Sequence, residues 1–124
     1  MHTHKIVVFA IFALAGCSGS SSQSDSVLVY ADRQAKQCVS EGLSPDESAG
    51  KLISAGIDVL STDCGFQTGV AYPAVCGGGT PSILIHEIRR ENLADAEEVG
   101  FTNIKALMNT ETDPGYATVD CEQS

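Results

Sequence analysis

The chain has 124 residues, seven Lys and Arg against sixteen Asp and Glu, a formal charge of −9, and 43% hydrophobic residues. That length suits a single domain with a modest core. The acidity argues against nucleic acid as a partner, because such a surface repels phosphate backbones.

The first predicted element is an export segment. A short basic start ending at Lys5 precedes an apolar run from Ile6 to Ala13, the layout of a secretory signal and too short for a membrane-spanning helix. The run ends on Leu14-Ala15-Gly16-Cys17. These four residues resemble a lipobox, the cleavage and acylation motif of bacterial lipoproteins, and the resemblance covers residues 1–17. It implies removal of residues 1–16, a lipid on the Cys17 thiol and an acyl group on the new amino terminus. Three chains hold a bilayer for long times where one is marginal, at about 0.8 kcal/mol per buried methylene. Ser18 follows, where an Asp would be the inner-membrane retention signal of enteric bacteria. The resemblance therefore implies the bacterial cell envelope, the outer membrane rather than the inner, with the domain facing the periplasm. Only Lys5 is lost from the basic residues, so the mature part carries six Lys and Arg against sixteen acids, a formal −10.

Five cysteines less Cys17 leave Cys38, Cys64, Cys76 and Cys121. An even number in a small exported domain reads as two disulfides, with three possible connectivities. The short, Gly-rich stretch between Cys64 and Cys76 favours that pair, worth roughly 3 kcal/mol in the chain-entropy model, and leaves Cys38 with Cys121. A four-thiolate zinc site would need paired C-x-x-C spacings that are missing, so no metal or cofactor is expected.

Residues 17–26 are Ser-rich with nothing to bury, a tether reaching roughly 15 to 20 Å between anchor and the domain at 27–124. Val27 to Ala31 is a β-branched and aromatic run, read as a buried strand. Asp32 to Gly42 is polar and irregular, with Cys38 available to pin it. Ser44-Pro45-Asp46-Glu47 is a capping box that starts a helix at Pro45, with Ala49, Leu52 and Ile53 on one face and Gly56 as the stop. Ile57 to Cys64 reads as a second strand, and Gly65 to Pro81 as a long stapled loop. Ser82 to Ile88 alternates around Ile83 and Ile85 as a third strand. A weaker helix runs from Asn92 to Gly100, Ile104 to Leu107 is a short extended piece, Thr112-Asp113-Pro114-Gly115 is a turn, and Tyr116 to Cys121 is a closing strand. This order matches a small α+β fold of the split βαβ, or ferredoxin-like (βαββαβ), plan: an antiparallel sheet, two helices on one face, stapled by disulfides. In that plan a residue after the first strand and one at the end of the last lie at opposite ends of the sheet, which sets Cys38–Cys121 pairing against the topology.

Few residues carry chemistry. His86 is the lone histidine of the mature part and reads as structural or surface-lying. Cys76-Gly77-Gly78-Gly79 lacks the Lys and the following helix of a phosphate cradle and reads as a turn. Asn109, Glu111, Asp113 and Asp120 are spaced faintly like a calcium loop, but Pro114 stands where Gly is needed, which leaves a solvated acidic turn. Arg89-Arg90 is the basic pair of an acidic domain, and with Phe66 and Tyr72 it offers candidate partner contacts. The expectation is a non-enzymatic envelope module that is lipid-anchored at Cys17 and binds another envelope protein. The alternative is a small-ligand binder or minor enzyme using His86 and Glu87 beside a Cys64–Cys76 loop.

Overall fold

The structure is a computed structural model that describes residues 25–122; Cys17, the export segment and the tether up to residue 24 lie outside the described residues. Seven elements follow in order: β1 (Ser26–Asp32), α1 (Pro45–Ser54), β2 (Ser61–Gln67), β3 (Ser82–Arg89), α2 (Leu93–Glu98), β4 (Thr102–Asn103) and β5 (Tyr116–Val119). The five strands form one antiparallel sheet in the order β4-β1-β3-β2-β5.

The α+β class, the antiparallel sheet, the two helices and two disulfides are all present. The expected strand order is not. The closing strand pairs with β2 on the far edge instead of lying beside β1, and the place beside β1 goes to the two-residue β4. Ile104–Leu107 is a 3-10 turn, and the extended pair just precedes it.

Local chemistry accounts for α1. The Ser44 hydroxyl accepts from the Glu47 amide at 3.0 Å, and Pro45 fills the first turn. At the other end Gly56 takes φ +82°, its amide donates to Ile53 O, and the Ile57 amide donates back to Leu52 O. That pattern is a Schellman motif, with Leu52 and Ile57 packed together behind it. Phe101 and Gly100 close α2 the same way, onto Ala96 and Glu97.

Strand alternation then builds two layers of core. Val27, Val29 and Ile88 face the helices and pack with Leu52, Ile57, Ala96 and Phe101. Ile83 and Ile85 face the other side, covered by Ile104, Leu107 and Tyr116. Central β3 is therefore buried on both faces, and Leu52, wholly buried, contributes about 2 kcal/mol. The buried residues of α1 are Ser48 and Leu52; Ile53 stays exposed because the helix is rotated to turn Ser48 toward the sheet.

The disulfides correct the expected pairing: Cys38 bonds Cys76, and Cys64 bonds Cys121. Beyond Cys64 the chain continues as strand through Gly65, Phe66 and Gln67, which carries Cys76 away from Cys64. Antiparallel β5 sets Val119 opposite Cys64, and alternation puts Cys121 on the same face, within bonding range at a Cα separation of 5.0 Å. Asp32 pairs with Ile83, so the loops after β1 and before β3 leave the same end of the sheet and bring Cys38 to Cys76. The two bonds interleave along the chain.

Candidate functional site

Two loops, residues 33–43 and 68–81, stand side by side at the end of the sheet formed by Asp32, Gln67 and Ser82. Besides Cys38–Cys76, Gln37 joins them. The Gln37 amide donates to Gly78 O at 2.9 Å, and its carbonyl accepts from Gly77 N at 2.7 Å. The Gln37 side chain donates to Pro73 O at 2.8 Å and Gly79 O at 2.9 Å, and its Oε1 accepts from Val75 N at 3.1 Å. A loop pair without core of its own thus acquires a fixed shape. Arg33, 5% exposed, roots the first loop by donating from Nε to Leu43 O, while its amide donates to Ser82 O.

What the pair presents is apolar. Val39 is 70% exposed, Val75 55%, Val70 46% and Tyr72 40%. The Tyr72 ring lies over Gly79, where an added Cβ would stand 3.3 Å from Cε1. Tyr72, Lys36 and Thr80 border a groove of about 420 Å³ that also touches Asp32 and Gln34. Exposed valines, an amphipathic aromatic and polar neighbours are residue types found at protein contact surfaces.

The four expected contact residues do not form one patch. Phe66 and Tyr72 belong to this end, Phe66 pairing with Ser82. Arg89 and Arg90 lie at the other end of β3, seven steps and about 23 Å away. There the Arg90 amide donates to Asp25 O at 2.7 Å and its guanidinium to Ser26 O at 3.4 Å. Glu87 accepts from the hydroxyls of Ser26 at 2.6 Å and Ser61 at 3.3 Å.

His86 is fully buried on the helix side of β3, while Glu87, next along the strand, points to the opposite face. Its Nε2 meets Ser48 Oγ at 2.8 Å and its Nδ1 meets Thr62 Oγ1 at 2.9 Å, with Phe101 edge-on at 5.6 Å. Burial lowers its pKa to about 4, so at neutral pH the ring donates one hydrogen bond and accepts the other. The structure therefore does not bring His86 and Glu87 together, and no Cys64–Cys76 loop flanks them. At the acidic turn, Asp113 accepts from Asn109 Nδ2 at 3.1 Å and from Gly115 N at 2.9 Å, so its carboxylate serves the turn itself. Among the described residues no cluster of three His, Cys, Asp or Glu side chains could hold a metal ion, and no helix is long and apolar enough to cross a membrane.

Sequence reasoning missed Gln37, Val39 and Val75 at the site, and Ser48 and Thr62 around His86. Only the neighbouring cysteines pointed toward the first three. No protein-family model matches the chain, and comparison with curated proteins and with solved structures finds no match.

Proposed function

We propose that this chain is a bacterial envelope lipoprotein, acylated at Cys17, whose stapled loop pair docks another protein of the envelope. The observation that carries the reading is placement. The loops pinned by Gln37 and Cys38–Cys76 stand at the end of the sheet opposite Asp25, where the chain from Cys17 enters β1. An anchor joined at the Asp25 end leaves the end that carries Val39, Tyr72 and Val75 unobstructed by the attachment, and tethering raises local concentration enough for a modest surface to suffice. Outer-membrane attachment with the domain in the periplasm fits Ser18 after the anchor. The stretch from β1 to β4 reads as a split βαβ unit to which β5 is an addition.

Photo-crosslinking in intact envelopes tests the docking. A benzophenone side chain at position 75 is expected to give one adduct of defined mass, weakened by Cys17→Ala; the same group at position 89 is expected to give none. An adduct from position 89 alone, or from neither, would refute docking at this end. Intact mass of membrane-extracted protein tests the anchor separately, and an unacylated start would refute it.

A further inference from the structure

The two disulfides differ in what a third thiol can reach. Cys64 is wholly buried in the sheet and its partner Cys121 half-buried. Cys38 and Cys76 are both exposed. Thiol–disulfide exchange requires a thiolate to approach one of the sulfurs, so access ranks the bonds. A groove of about 320 Å³ borders Cys38, lined also by Lys36, Val39, Ser40 and Glu41, and leaves room beside the residue for an approaching segment. Opening this bond also spares the fold, because loops 34–43 and 68–81 contribute nothing to either core cluster. Gln37 meanwhile ties the same loops together through five hydrogen bonds, one from its amide, one to its carbonyl and three at its side chain. The freed thiols stay adjacent, at high effective concentration, and re-form the bond when oxidant returns.

We propose that Cys38–Cys76 is a thiol–disulfide exchange site for a dithiol oxidoreductase, while Cys64–Cys121 is permanent. A thiolate of the reductant attacks one sulfur, forming a mixed disulfide and expelling the other cysteine as thiolate. The reductant's second thiol then displaces the bound cysteine. Two electrons pass, leaving two cysteine thiols here and a disulfide on the reductant. The exchange chemistry rests on access to the bond and not on the docking reading, although Val39 borders both the groove and the docking loops.

The folded full chain is treated with dithiothreitol under native conditions, quenched with N-ethylmaleimide at intervals and mapped by peptide mass spectrometry. Alkylation of Cys38 and Cys76 is expected at least about tenfold faster than that of Cys64 and Cys121, with β3 amide protection intact. Equal rates, the reverse order, or loss of β3 protection in step with reduction overturns the proposal. Once reductant is removed, Gln37→Ala is expected to re-form the bond several-fold more slowly; an unchanged rate removes the pre-aligned return. A dithiol oxidoreductase whose resolving cysteine is replaced by serine should be trapped on Cys38 or Cys76. Trapping only at Cys64 or Cys121, or none at all, also overturns it.

Discussion

A histidine caged by two hydroxyls and an aromatic edge is costly to protonate, and that makes His86 the residue through which acid reaches the core. In the unfolded chain it titrates near 6.5; in the folded chain burial holds it to about 4. Above 6.5 neither state binds the proton and stability is unaffected. Between 6.5 and 4 the unfolded state binds it and the folded state does not, so stability falls with pH by up to about 3 kcal/mol. His86→Gln removes the titration. Its urea-unfolding free energy, subtracted from the native value at each pH, should change between pH 7 and 4, and a constant difference would refute the assignment. Ser48→Ala strips one ring nitrogen of its partner and should cost about 1 to 3 kcal/mol in the same measurement at neutral pH. From sequence this cage was invisible. Ser48 and Thr62 are polar, so apolar periodicity passes over them; Ser48 is buried by the way α1 is rotated on the sheet, and half-buried Thr62 is set opposite His86 by the register of β2 on β3.

Elements whose instructions are local were the legible ones. Ser44, Pro45 and Gly56 fix both ends of α1 without help from distant residues, and β3 shows its burial in its own side chains. β2 gives no such signal. Ser61-Thr62-Asp63-Cys64-Gly65-Phe66-Gln67 is polar and interrupted by glycine, and it is a strand because β3 and β5 pair with it on both sides. Gly65 is required there: an added Cβ would lie 2.8 Å from Ala117 O and 3.0 Å from Ile85 Cδ1. Gly65→Ala should therefore push β5 off its edge and cost about 1 to 3 kcal/mol. Amide exchange reads this directly, as faster exchange in Ala117 and Val119 while β1 is unchanged. Gly56→Ala should cost about 1 kcal/mol by forcing a side chain into the left-handed conformation, measured as a lower urea midpoint with an unchanged slope.

For the whole molecule, the sheet holds its two ends apart, and the expected contact residues are divided between them for that reason. Tyr72 and Phe66 lie at the loop end, Phe66 within β2 and not in the loop expected for it, whereas Arg89 and Arg90 lie at the other end, a separation that residue spacing alone does not reveal. The disulfides hold this arrangement. Replacing Cys64 and Cys121 by alanine removes a bond that closes a separation of 57 residues, worth about 4 kcal/mol in the chain-entropy model. Thermal unfolding should fall accordingly, with protection lost first in Tyr116–Val119. The interleaving of the two bonds bears on how the protein is made. A chain threaded amino terminus first delivers Cys38 and Cys64 together before either native mate has emerged. If the chain is exported as proposed, oxidation in order of appearance joins the wrong two, and cells without a disulfide isomerase should accumulate a Cys38–Cys64 species that migrates apart from the native form on non-reducing gels.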